Sequence, residues 1–349
     1  MKTATLGAFP KPDFVPIIDW FRQPGGPDGS DPTGSYADNL AAIGDQAEAL
    51  LARGAEQIIA DQVAAGIDIV TDGEVRRENY IHYHCRHLDG IDFDTLTDTE
   101  LRGGNYSARL PTITGAVAAG APFLPHDWRV AQAFTERPVK ITVPGPMTIG
   151  DTVADRHYGD PKRRGAALAA ALNVEILALA EAGCRYIQVD EPVFARKVDE
   201  ALAFGFENLE RCFHGLPDGV ERTVHMCCGY PDRLDNPDYP KADRGAYVDL
   251  APAIDASCIQ AVSIEDAHRH NDLSLLEMFA NTKVLLGVVA VAKSEIETVE
   301  EIRQRLQDAL LHIDAERLIA APDCGLGLLS RKGAVAKLTN LAEAAHSLP

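Results

Sequence analysis

From position 38 to 65 the apolar residues Leu40, Ile43, Ala47, Leu50, Leu51, Ile58, Ile59 and Val63 recur at helical spacing, with a break expected near Gly54. Gly66 supplies a stop, and Ile67-Asp68-Ile69-Val70-Thr71 then has strand character. The same order returns downstream: an Ala/Leu-rich helix over 163–182, Gly183, and the strand-like run Arg185-Tyr186-Ile187-Gln188-Val189-Asp190. A helix that feeds a buried strand through glycine marks a β/α repeat, in which helices cover parallel strands.

Eight runs fit that role, at 3–6, 67–71, 139–143, 186–189, 222–224, 259–264, 284–289 and 318–321. The helix before the last strand carries a capping box, Thr298-x-x-Glu301, ahead of Ile302, Leu306 and Leu310. The pattern predicts an α/β fold, a single (β/α)8 TIM barrel spanning 1–349 as one catalytic domain. Residues 80–128 interrupt it between strands 2 and 3. There Leu110-Pro111-Thr112-Ile113-Thr114 looks extended and lacks a following helix, so an inserted hairpin is expected. The Gly-, Pro-, Asp- and Ser-rich segment 23–35 reads as a surface loop, and its Gly25-Gly26 stretch is placed where a cover for a site would be useful.

Composition narrows the function. The chain has 349 residues, 46% hydrophobic and 24% charged, which is ordinary for a globular protein. A net charge of −19 leaves no basic footprint for nucleic acid or anionic membrane. The N-terminus lacks an apolar signal core, and no stretch approaches the roughly 18 apolar residues of a span, so a cytoplasmic location is expected. Seven cysteines without tight scaffold spacing fit reduced thiols better than a disulfide framework.

The chemistry concentrates where strands run out. In Thr223-Val224-His225-Met226-Cys227-Cys228-Gly229, His225 and Cys227 share one face of an extended chain, whereas Cys228 points the other way. Glu265 ends Val262-Ser263-Ile264-Glu265, and Cys324 lies in Ala320-Ala321-Pro322-Asp323-Cys324-Gly325. One imidazole, two thiolates and a carboxylate would suit tetrahedral zinc. Taken singly, each is more simply a core cysteine or a satisfied polar group. Convergence of strand ends on one barrel rim makes the set meaningful. The same rim carries Gly7-Ala8, Asp72-Gly73-Glu74 and Asp190-Glu191-Pro192. Singly, Glu74 reads as a turn cap and Asp190 as a helix cap. Asp72, Glu191 and Asp323 suit groups that orient ligands or loops. His82, His84, Cys85 and His87 read as surface or loop residues.

Taken in order, Thr5-Leu6-Gly7-Ala8-Phe9-Pro10, Asp72-Gly73-Glu74, Gly145-Pro146-Met147-Thr148, Ile187-Gln188-Val189-Asp190-Glu191-Pro192, His225-Met226-Cys227, Ser263-Ile264-Glu265 and Pro322-Asp323-Cys324-Gly325-Leu326 resemble the motifs of the catalytic barrel of cobalamin-independent methionine synthase. The resemblance implies transfer of a methyl group to homocysteine to form methionine. It implies that His225, Cys227, Glu265 and Cys324 hold zinc. It also implies that Glu74 and Asp190 hold the homocysteine ammonium, with Glu191 beside them, and that the backbone at Gly7 and Ala8 holds its carboxylate.

Three positions depart from the family pattern. Ala8 stands where the family has serine. Thr148-Ile149-Gly150-Asp151 offers no aromatic to stack on a folate, and Val289-Ala290-Val291-Ala292-Lys293 lacks the histidine expected to protonate the departing folate nitrogen. The donor therefore stays open between methylfolate and a methylcorrinoid, as does the need for a helper protein; Lys293 is one substitute acid. The rival reading is a sister activity resembling epoxyalkane:coenzyme M transferase. Its sulfonate-bearing thiol would want arginine, with Arg76, Arg77 and Arg196 as candidates. A third reading is a non-catalytic zinc-binding protein.

Overall fold

The computed structural model describes residues 1–17, 19, 32–101, 106–229, 233–237 and 239–349. The Gly25-Gly26 stretch lies outside the described residues. In chain order the strands are β1 (Lys2–Thr3), β2 (Val70–Thr71), β3 (Leu88–Leu101), β4 (Tyr106–Ala119), β5 (Val139–Pro144), β6 (Ala154–Asp155), β7 (Tyr186–Asp190), β8 (Glu221–Met226), β9 (Ala261–Ile264), β10 (Lys283–Val289) and β11 (Leu318–Pro322).

Eight of these form one parallel sheet in the order β1-β11-β10-β9-β8-β7-β5-β2. A parallel bridge between Ala4 and Ile69 joins the two outer strands, with Thr5 N donating to Ile69 O at 3.1 Å and Ile69 N to Thr3 O at 3.0 Å. The sheet thus curls into the barrel expected from the eight runs. Ala4, Leu6, Ile69, Ala261, Leu285, Ile319 and Ala321 fill its interior, and a larger apolar layer lies between sheet and helices. Gly66 and Gly183 end their helices at φ 99° and 111°, a conformation that a side chain would strain.

The interruption is the expected hairpin, β3 pairing antiparallel with β4, and β6 adds a short parallel edge. A helix does follow it, Leu124–Gln132, contrary to the reading of Leu110–Thr114 in isolation. Glu175 holds that helix's start by accepting from the amides of Phe123 and Leu124 at 3.0 and 2.7 Å. Because the hydrogen bonds come from a residue far along the chain, local pattern does not show them.

Three further expectations are corrected. The first helical stretch breaks at Gly44–Gln46, between the helices Pro32–Ile43 and Ala47–Ala64, and not at Gly54. Gly54 is there for packing, since a Cβ at that position would come within 2.7 Å of Val15 and 2.9 Å of Val75. Residues 32–35 of the expected loop are the start of the first helix. His82, His84 and Cys85 are buried on the short helix Tyr80–Cys85, and His87 stacks on Phe123 at 3.8 Å. Aromatic packing under the hairpin outweighs the polarity that suggested a surface position.

By length and composition one helix among the described residues, Pro161–Ala182, is apolar enough to cross a membrane. In this fold Leu168, Leu172, Ile176 and Leu179 bury one face of it in the core around the barrel.

Candidate metal and substrate site

Parallel strands place their C-terminal ends on one rim, and the ladder sets which side chains meet there. Asp190 of β7 pairs with His225 of β8, and His225 with Ser263 of β9. The His225 ring is held through Nδ1, 2.9 Å from Ser263 Oγ. Its Nε2 stands 3.4 Å from Cys324 Sγ, and the ligand atoms of His225, Cys227 and Cys324 all lie within 4.8 Å of one another. Hydrogen bonding to Cys324 and the adjacent His225 pull Cys227 well below the usual thiol range, and the same contact pushes Cys324 well above it.

One imidazole nitrogen aimed by a partner on its other nitrogen, beside two soft sulfurs of which one is readily a thiolate, fits a divalent metal of the zinc type. Glu265 is not within that group of three. Its backbone is set by Tyr247, whose hydroxyl donates to Met226 O at 2.8 Å and accepts from Glu265 N at 3.0 Å. One carboxylate oxygen accepts from Cys228 N at 3.2 Å, and the other is ion-paired with Lys241. Cys228 itself is buried and pushed up to about 11 by that burial.

Glu265, His268 and Asp323 form a second cluster of potential ligands. Asp323 is already committed, accepting from the amides of Asp266, Ala267 and His268 at 2.7 to 2.9 Å and lying 2.6 Å from His268 Nδ1. The cluster is a loop clamp. His268 Nε2 accepts from Ala292 N at 3.2 Å, so a histidine does reach the end of β10, but from the loop after β9 and with that nitrogen occupied.

The acids Glu74 and Asp190 stand on the same rim, Asp190 directly beside His225. Glu74 adopts φ 56°, outside the range favoured by non-glycine residues. Its Oε1 accepts from Thr142 Oγ1 at 2.9 Å and lies 3.6 Å from Arg77 Nη1. The same oxygen presses on the backbone at Gly7, where a Cβ would come within 2.8 Å of it. Among the described residues neither Gly7 nor Ala8 spends its amide on a hydrogen bond. Asp190 accepts from Gln188 Nε2 at 2.7 Å. Burial raises Glu74 to about 7, with Asp190 and Asp72 adding to the effect, and raises Asp190 to about 6. Neither acid acts as a helix or turn cap.

Glu191 has a different environment. Its two oxygens accept from Met147 N, Thr148 N and Thr148 Oγ1 at 2.8 to 3.0 Å, which ties the short helix Pro146–Thr152 to the end of β7. Burial pushes it up to about 8. Three groups had no signal in the sequence: Ser263 behind His225, Lys241 against Glu265, and Tyr80. The buried phenol of Tyr80 is raised well above its usual range by burial and by the charges of Asp190, Cys227, Cys324 and Glu74.

A family model for the catalytic domain of cobalamin-independent synthase matches residues 35–347. The chain belongs to the cobalamin-independent methionine synthase family. It is 26% identical over 347 residues to a methionine synthase of Saccharolobus solfataricus, covering 98% of this chain and 93% of that one. A methionine synthase of Sulfolobus acidocaldarius is likewise 26% identical, over 98% and 90%. Among solved structures, a B12-independent methionine synthase from Shewanella sp. W3-18-1 in complex with selenomethionine superposes with a TM-score of 0.84 at 30% identity, covering 99% of this chain and 96% of that one. Membership of this family supports methyl transfer and methionine formation for this chain.

Proposed function

We infer that this protein is a single-domain, cytoplasmic, zinc-dependent methyltransferase that converts homocysteine to methionine. The observation that carries the reading is the meeting of His225 Nε2, Cys227 and Cys324 within 4.8 Å on the rim that also holds the buried acids Glu74 and Asp190. His225, Cys227 and Cys324 would hold the metal, with Glu265 as fourth ligand. Zinc, when bound there, supplies the positive charge that keeps an incoming thiol deprotonated and nucleophilic.

The chain's own groups do the rest. Glu74 and Asp190 take the substrate ammonium, whose charge offsets the cost of two buried carboxylates. The amides of Gly7 and Ala8 take its carboxylate. Glu191, fully used by the 146–152 helix, supports the end of β7 and the pose of Asp190. Held in this way, the sulfur would attack the methyl carbon, the carbon–sulfur bond forming as the bond to the donor breaks.

Each arginine considered for a sulfonate-bearing thiol already faces a carboxylate. Arg76 forms paired bonds to Glu48 at 2.8 and 2.6 Å, and Arg196 lies 3.2 Å from Asp151. Arg77 donates to Thr142 at 2.8 and 3.0 Å and faces Asp72 and Glu74. These partners favour an amino acid thiol over coenzyme M. The test pairs homocysteine and coenzyme M with methylfolate, methylcobalamin and a short epoxide. Methionine from homocysteine with one of the two methyl donors is expected; turnover confined to coenzyme M and the epoxide would overturn the reading.

A further inference from the structure

Lys241 belongs to the segment that follows β8, and its position is set by the backbone around it. Ala242 N donates to Cys228 O at 2.7 Å, and Gly229, at φ 146°, lies so close to Pro240 that a Cβ would come within 2.5 Å of its carbonyl. The lysine is therefore stapled to the strand end that carries His225 and Cys227. Its ammonium lies 4.8 Å from the centroid of the Tyr239 ring and ion-pairs with Glu265, whose side chain is only 3% exposed. Glu265 is thus held between the amide of Cys228, next in the chain to Cys227, and the partly buried ammonium of Lys241.

We propose that Lys241 is a positioning residue for thiol binding: it receives the Glu265 carboxylate when the substrate sulfur takes that carboxylate's place beside the metal. The inference rests on the function proposed above. Charge makes the case. An incoming thiol gives its proton to solvent and brings one negative charge to the ligand set, while Glu265 leaves with one, so the count at the metal is unchanged. The released carboxylate would then be a lone negative charge on a side chain only 3% exposed, and leaving such a charge unpaired is costly. Lys241 is already there to pair with it. The exchange then proceeds between two positions of Glu265, each with a cation: the metal before substrate arrives and the ammonium afterwards. Carboxylate oxygen binds a zinc-type ion less softly than sulfur, so Glu265 is the ligand suited to leave.

The experiment uses the full chain loaded with zinc and compares wild type, Lys241→Met, which keeps the stem and loses the charge, and Lys241→Arg, which keeps the charge. X-ray absorption counts sulfur and oxygen or nitrogen neighbours of zinc before and after homocysteine, and calorimetry gives the thiol affinity. Wild type and Lys241→Arg should exchange one light neighbour for a third sulfur. Lys241→Met should keep its light neighbour and bind homocysteine at least about tenfold more weakly, with zinc affinity unchanged or tighter. In a Glu265→Gln background, where no charge is released, Lys241→Met should change thiol affinity no further, which separates the charge role from a folding defect. A third sulfur in Lys241→Met with unchanged homocysteine affinity would overturn the role of Lys241 and leave the proposed function standing. Wild-type protein that binds no zinc, or whose zinc neighbours ignore homocysteine, would overturn both.

Discussion

Ser263 Oγ sits 2.9 Å from His225 Nδ1, directly across the β8–β9 ladder, and so decides which nitrogen of the imidazole faces the two cysteines. A metal-binding histidine depends on such a partner for its tautomer and orientation. Ser263→Ala should therefore keep the fold and weaken zinc binding by about 10–100-fold, read by competition with a chelator. Unchanged affinity would show that strand geometry alone aims the ring.

Cys227 and Cys324 lie just past the ends of β8 and β11, and their ligand atoms come within 4.8 Å of each other. Changing either to serine should abolish retention of one zinc per chain, measured by atomic absorption after dialysis, together with turnover. Full activity in a metal-free variant would remove the site from the chemistry.

Glu74 and Asp190 test the ammonium. Asp190→Ala should impair the use of homocysteine more than that of an otherwise similar thiol lacking the amine; equal losses would remove the assigned role. The pH dependence has a definite sign. A carboxyl raised by burial is neutral below its pKa, so attraction for the ammonium should fade as pH drops through about 7 for Glu74 and about 6 for Asp190. The KM for homocysteine should rise in that window, and Glu74→Gln should lose the upper step.

Glu175 gives a stability prediction away from the site. Burial raises it to about 7 even though it accepts two amide hydrogen bonds. Its folded pKa lies above its unfolded one, so the native state binds more protons between about 4.5 and about 7 and stability falls as pH rises through that range. Both amides bond to the same oxygen, which glutamine retains. Glu175→Gln should flatten this part of the profile in denaturant titrations; a slope equal to wild type would mean that the unfolded chain titrates alike.

The barrel is legible because its signals are local: apolar runs for the strands, glycines at positive φ such as Gly66 and Gly183, and a capping box at Thr298 and Glu301 that the structure contains. Closure between Ala4 and Ile69 follows from repetition of that unit. What local pattern missed are the groups that act across the rim. Nothing around Ser263 announces His225, and Lys241 sits in a polar loop with no periodicity. A glycine needed for close approach, such as Gly54, looks the same in sequence as one that ends a helix. The burial of His82, His84 and His87 depends on Phe93 inside the hairpin and on Phe123 beyond its far end, which no local pattern shows.

The contact between Gly7 and the Glu74 carboxylate ties together the first two strand ends of the barrel. A methyl group at position 7 would push that oxygen off Thr142 and swing the acid away from its neighbour Asp190. At φ 143° the backbone there also strains any side chain, so glycine is required at position 7 on two separate grounds, and the space it leaves is the room that the Glu74 oxygen occupies.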